Sequence, residues 1–162
     1  MDIDKIIDFA TLKHQGQFRI GGEAYISHPL AVKDILVAKG IKDNKFVATA
    51  ILHDILEDTD VTEDDILELT DEDVLSAVKL LTKDKGYEMQ SYIKNIKENE
   101  IALFVKLADR VHNLRSAVIA SMKFKKRYIK ETEDYYVSLS KDTIFEEDIK
   151  EALENLIRTL EK

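Results

Sequence analysis

Apolar residues recur along this chain at spacings of three and four, the period of helices that each bury one face. Alternation of the kind a strand needs is scarce, and one Pro and five Gly give little punctuation for turns. The pattern predicts about eight or nine helices. The first covers roughly Ile3 to Gln15, and a loop holding Gly16, Gly21 and Gly22 follows it. Pro29 suits the first turn of a second helix that ends before Gly40. Asp43 caps a third over about Asn44 to Asp58. Thr62 with Asp65 forms a capping arrangement for a short helix to Leu69, and Thr70 caps another to about Leu81. "TKDKG" reads as a loop. Tyr87 to Glu98, Glu100 to Ala120, Lys123 to Leu139 and Glu146 to Lys162 complete the set.

Two of these helices change character along their length. Asn44 to Ala50 is apolar nearly all round, as an interior helix is. His53, Asp54, Glu57 and Asp58 then arrive together in "ATAILHDILEDTD". At about 100° per residue the four share one face. Burying a carboxylate without a partner is costly, and a metal ion, basic side chains or simple exposure at a solvated helix end would each meet that cost. The second helix, "IALFVKLADRVHN", runs from Ile101, Leu103, Phe104 and Val105 into Asp109, His112 and Asn113. Its bland counterpart is a surface Asp–Arg or Asp–His pair. Two such helices in 162 residues favour a shared site. His28, just before Pro29, and His14 in "KHQGQFR" are the remaining His residues, each of a kind that often serves as a cap or lies on the surface.

The length fits one domain, 1–162. No Cys is present, which removes disulfides, thiolate metal sites and a Cys nucleophile. The net charge of -8 weighs against broad nucleic-acid or anionic-membrane binding. No apolar run approaches a membrane span, and the start lacks a signal-peptide core, so a soluble cytoplasmic protein is expected. Imidazole and carboxylate together suit Mn, Fe, Co or Zn better than Ca. Such an ion lowers the pKa of water and polarises a phosphoryl group. Glu57 and Asp58, one turn beyond His53 and Asp54, stand where they can orient a water or accept its proton.

In this order these residues resemble the HD superfamily of metal-dependent phosphohydrolases, whose signature is His, then His-Asp, then Asp. More narrowly, "HQGQFRIGGEAYISHP", "AILHDILEDT", "LLTKDKG" and "VKLADRVHNLRS" resemble the hydrolase domain of RelA/SpoT-type enzymes and stand-alone small alarmone hydrolases. The resemblance implies an all-α fold, a single HD-domain helical bundle of about eight to nine helices. It implies one divalent ion, Mn²⁺, held by His28, His53, Asp54 and Asp109, with Glu57 and Asp58 as the catalytic acidic pair. The implied reaction is hydrolysis of the 3′-pyrophosphate of guanosine tetra- or pentaphosphate to GDP or GTP and pyrophosphate. Arg19 matches a position near the guanine base and Asn113 one near the nucleoside; His14 belongs to the motif without being a ligand. With no stretch left for a synthetase domain, hydrolysis is the expected sole activity. Departures from the family pattern fall at Ile20, Gly21, Ala24 and Ser116. They leave the metal and acidic residues intact and touch the base-contacting loop. An HD hydrolase of another nucleotide or pyrophosphate-containing metabolite is therefore the alternative, and a non-catalytic alarmone-binding domain a third.

Lys106, Arg110 and Arg115, with Arg19, are candidates to reach substrate phosphates, against the commoner role of solvated surface charges. The basic run 123–127 reads as a solvated face. Tyr87, Tyr92, Tyr135 and Tyr136 read as packing residues.

Overall fold

The structure, a computed structural model, describes residues 1–161. Among these it is all-α, with no strand and a single isolated bridge between Phe18 and Ala24. The helices are α1 (Ile3–Lys13), α2 (Ser27–Ala38), α3 (Asn44–Leu52), α4 (Ile55–Asp58), α5 (Glu63–Leu69), α6 (Glu72–Leu81), α7 (Met89–Lys97), α8 (Glu100–Ser116), α9 (Met122–Glu131), α10 (Val137–Ser140) and α11 (Glu146–Arg158). The nine expected helices are all there. Two of them are interrupted, which gives eleven α-helical segments among the described residues. No helix among them is long and apolar enough to cross a membrane.

The chain forms two compact units, Met1–Lys106 and a second from Leu107 onward, and α8 runs through the division. In the first unit α3 is the centre, packing on α1, α2 and α6. Val47 through Leu52 are all buried, as a helix apolar on every side requires. Around them Ile6, Ala10, Ile55, Ile66, Val74 and Val78 complete the core. In the second unit α9 and α11 pack together around Leu114, Ile129, Leu153 and Leu156.

Local chemistry sets the helix starts. Asp43 accepts from the Lys45 N–H at 2.8 Å. Thr62 and Asp65 form the reciprocal capping box, each side chain accepting from the other's backbone N–H. Thr70 does not cap α6. Asp71 does, accepting from Val74 N–H at 3.0 Å, while the Thr70 hydroxyl donates to the Ile66 carbonyl at 2.6 Å at the end of α5.

Several bounds also differ from expectation. The run from Asn44 to Asp58 breaks after Leu52, for a reason that belongs to the site. The helix from Glu100 stops at Ser116 and tightens into a 3₁₀ turn over Ala117–Ile119. The helix expected at Lys123 starts one residue earlier, capped by Ser121, and loosens into a π turn over Thr132–Tyr136 before α10. The last helix ends at Arg158, and its expected end at Lys162 lies outside the described residues.

Candidate metal centre and acidic pair

His53 ends α3. Its Nδ1 lies 2.6 Å from the carbonyl oxygen of Ala50, the acceptor that the Asp54 N–H would use if the helix continued. With that carbonyl taken by the imidazole, Asp54 adopts φ −102°, ψ 0°, and α4 starts afresh at Ile55. The four polar residues therefore do not line one face of an unbroken helix, as the wheel had suggested. The bond fixes the tautomer as well: Nδ1 carries the proton, and Nε2 keeps its lone pair.

The break turns Asp54 back over the imidazole. Asp54 Oδ2 lies 3.1 Å from His53 Nε2 and 3.8 Å from His28 Nε2. His28 enters as the second residue of α2, with its ring centroid 5.2 Å from that of His53. A ring nitrogen of each lies within 4.8 Å of one of the other. Both imidazoles are almost wholly enclosed, at 1% and 3% exposure, so neither is the surface residue that a lone His often is. Two imidazole nitrogens and a carboxylate oxygen converging in a buried space form a donor set that fits a borderline divalent metal ion.

A residue that the sequence analysis passed over supports this set. Gly22, at φ +95°, lets the segment after α1 fold back on itself. The Arg19 N–H then donates to Glu23 O and the Tyr25 N–H to Gln17 O, each at 2.8 Å. Tyr25 thereby reaches the site. Its hydroxyl donates to Asp54 Oδ2 at 2.5 Å, and its ring meets His28 edge-on at 6.0 Å. The only signal in the sequence was its place three residues before His28. His14, too, is buried, with its ring 4.9 Å from that of Tyr25.

Glu57 and Asp58 lie exposed on α4. Glu57 Oε1 accepts the Lys83 backbone N–H at 2.7 Å, and the Asp58 carbonyl accepts the Gln17 amide at 2.9 Å. The Asp58 carboxyl is held above the ordinary carboxylate range. Although the residue is exposed, partial desolvation of its carboxyl is the largest cause, followed by the negative charges of Asp54 and Glu57; His14 and Tyr25 pull the other way. Three carboxylates thus gather within five residues of chain, at a cost to the last of them.

The other predicted site residues are placed as follows. Arg19 is half-buried on the loop. Lys106 is buried, with Nζ 5.6 Å from the centre of the Tyr92 ring. In the second unit Asp109 is buried and accepts from Asn113 Nδ2 at 3.1 Å, one helical turn on. Arg115 is exposed. Arg110 is not a solvated charge. It is 2% exposed, bonds Glu131 Oε1 at 2.6 Å, and lies between the rings of Tyr128 and Tyr136, whose centres are 4.1 and 3.8 Å from its guanidinium carbon. In the basic run 123–127, Lys123, Lys126 and Arg127 are exposed and Lys125 is buried.

Known proteins resemble this chain in sequence and in fold. A solved structure described as a metazoan ortholog of SpoT that hydrolyzes ppGpp and plays a role in starvation responses superposes with a TM-score of 0.82 at 26% identity, covering 94% of each chain. The chain is 35% identical over 143 residues to the probable guanosine-3′,5′-bis(diphosphate) 3′-pyrophosphohydrolase of Synechocystis, covering 82% of this chain and 19% of that protein. It is 34% identical over 154 residues to the protein of Haemophilus influenzae named for the same activity, covering 88% and 22%. It is also 34% identical to the GTP pyrophosphokinase rsh of Brucella melitensis, covering 95% and 22%. The chain thus spans about a fifth of the length of these curated relatives. The HD domain family model matches residues 7–142, through both compact units, and the chain belongs to the HD-domain family.

Proposed function

We propose that residues 1–162 act as one HD-type phosphohydrolase domain. It removes the 3′-pyrophosphate of guanosine tetra- or pentaphosphate, giving pyrophosphate and GDP or GTP. The observation that carries this reading is the placement of Asp54 Oδ2 against the Nε2 atoms of His53 and His28, beside an acidic pair. The names of the relatives in Synechocystis and Haemophilus influenzae, and the likeness to the metazoan ortholog of SpoT, support the substrate.

His28, His53, Asp54 and Asp109 hold one divalent ion, Mn²⁺ in this proposal. When bound, that ion supplies Lewis-acid polarisation of the phosphoryl group and activation of a water. The chain's own groups do the rest. The Nδ1–H of His53 on Ala50 O fixes the ring for its role. Tyr25 steadies Asp54. Glu57 and Asp58 orient the attacking water and take its proton. The water oxygen bonds to the phosphorus carried on O3′, the P–O3′ bond breaks, and O3′ leaves as the 3′-hydroxyl after taking a proton from solvent, to which the acidic pair later returns the one it took. Arg19 and Asn113 contact the nucleoside, and Lys106 and Arg115 supply positive charge toward the phosphates. Arg110, enclosed by Glu131 and two rings, acts by holding α8 in place. The protein works in the cytoplasm on a small-molecule nucleotide, without nucleic acid or membrane.

A second reading keeps the chemistry and changes the nucleotide. The loop after Arg19 carries Ile20 at 67% exposure, an apolar side chain turned to solvent where a base-contacting loop is expected. Pyrophosphate release from ppGpp by the purified protein with Mn²⁺, beside a panel of other nucleotides, separates the two. The proposal expects ppGpp turnover that disappears in Asp109→Ala together with bound metal. Turnover of another nucleotide in preference to ppGpp establishes the second reading, and metal-dependent binding of ppGpp without turnover establishes a regulatory domain.

A further inference from the structure

His14, which the reaction above leaves unused, closes α1 with its ring 2% exposed. Its Nδ1 lies 2.9 Å from Gln17 Oε1. The other end of that amide fixes its orientation, because Gln17 Nε2 donates to the Asp58 carbonyl. Oε1 is therefore the acceptor, His14 Nδ1 carries the proton, and His14 Nε2 is a bare lone pair. That nitrogen is buried and has no hydrogen-bond partner among the described residues. An acceptor left unmet in the interior costs about 1–3 kcal/mol, and such an atom calls for a donor.

The surroundings say which donor. The segment around His14 is drawn over the end of α4: Lys13 Nζ approaches Asp60 Oδ1 at 3.9 Å and Gln17 holds the Asp58 carbonyl. Tyr25 packs its ring on His14 while its hydroxyl reaches Asp54. Tyr25 also reaches the Asp58 carboxyl by a side-chain hydrogen bond, so His14 and Asp58 share it as a neighbour. Asp58 is the member of the acidic pair on this side.

We propose that His14 is a positioning residue for the acidic pair: its bare Nε2 accepts a hydrogen bond from the Asp58 carboxyl once that group has taken the proton of the attacking water. The inference rests on the hydrolase reading. In it the water O–H bond breaks, the new O–H bond forms on Asp58, and the hydrogen bond to Nε2 keeps that proton turned away from the reacting phosphorus. Tyr25 and Gln17 keep the imidazole still, so the acceptor needs no rearrangement when the proton arrives.

Two substitutions separate the two ring nitrogens. His14→Gln brings an amide oxygen near the place of Nε2; His14→Asn keeps a donor near Nδ1 and removes the acceptor. The expected result is a loss in kcat of about 10–100-fold for His14→Asn, with KM nearly unchanged and most of kcat restored in His14→Gln. In an Asp58→Ala background neither substitution has a further effect, because the two residues act as a unit. Equal kcat losses in the two variants, or full additivity with Asp58→Ala, overturn the proposal. A ¹⁵N-histidine spectrum decides the point without turnover. Asn at position 58 offers the donor that the protonated carboxyl would, so the His14 Nε2 resonance should differ between Asp58→Asn and Asp58→Ala. Identical resonances, as a resident water on Nε2 would give, overturn it. Wild-type protein inert toward every nucleotide defeats the hydrolase reading instead, and the spectrum still judges His14.

Discussion

The two compact units bury charge in opposite ways. In the second, side chains surround the Arg110 guanidinium: a carboxylate at 2.6 Å, the hydroxyl of Thr132 at 3.4 Å and a ring on each side, with only its Nε left without a hydrogen bond. Burial, the strongest influence on it, works against the charge, yet Tyr128, Tyr136 and Glu131 outweigh it and hold the guanidinium above its ordinary pKa. The π turn at Thr132–Tyr136 brings Thr132 and Tyr136 to the guanidinium together. In the first unit, Asp54 meets two imidazoles and a phenol, and the nearby carboxylates raise the pKa of Asp58 rather than relieve it. One nest balances its charge with side chains alone. The other gathers negative charge and lone pairs that a cation would satisfy. Internal compensation serves the fold, and a local electrostatic cost marks the place where the proposed function resides.

The comparison breaks most readily at His53. His53→Ala should bring hydrolysis to background and abolish stoichiometric metal by elemental analysis. In the wild type, metal at 100-fold over its Kd should add about 2.7 kcal/mol, a rise in Tm of roughly 5–10 °C for a chain of this size; the variant should show no such rise. A variant that keeps both metal and rate would place the site elsewhere. Next in size, Arg110→Ala should destabilise by about 3 kcal/mol in urea unfolding. Glu131 is partly exposed and can recover water, which limits the loss. A change within about 0.5 kcal/mol, the usual range for surface substitutions, would show that this nest is not a fastening.

Tyr25→Phe sharpens the comparison, since it removes one hydroxyl and keeps the ring. Metal affinity should fall about 10–100-fold by titration, the usual effect of losing a residue that steadies a ligand. The smallest effect is on stability at Asp58. Its carboxyl is raised in the folded state, so its contribution favours the fold at low pH and is lost as pH rises through the folded pKa. At pH 7 the metal-free wild type bears that penalty. Asp58→Asn should therefore melt higher without metal, by less than about 1 kcal/mol given the exposure of the residue, while losing most activity. A lower melting point would reverse the sign assigned to the acidic cluster.

Where the chemistry is local, the sequence already shows it. His53 and Asp54 are neighbours on a helix whose apolar start places it inside, and His28 precedes Pro29 at a helix start, so short motifs carry much of the site. The caps at Asp43 and Thr62 are likewise read from adjacent residues. The break after Leu52 is not legible, because no Gly or Pro marks it and its cause is a side chain taking the Ala50 carbonyl. The contacts of Tyr25 and His14 stayed out of view for a different reason. Tyr25 meets Asp54 across 29 positions, and Gln17 meets Asp58 across 41, through a loop whose path depends on Gly22. Arg110 read as a solvated charge or a candidate phosphate contact since its partners, Tyr128, Glu131 and Tyr136, lie on the next helix and the turn after it and bear no pattern that ties them to it.

The central claim is that the imidazole and carboxylate groups around Asp54 create a metal-dependent pyrophosphohydrolase. Its most direct test is a titration of the metal-stripped protein with Mn²⁺ while pyrophosphate release from ppGpp is followed. Release should rise from background and saturate near one ion per chain. Undiminished release from the stripped protein under excess chelator, or one bound ion per chain with no cleavage of ppGpp, would contradict it.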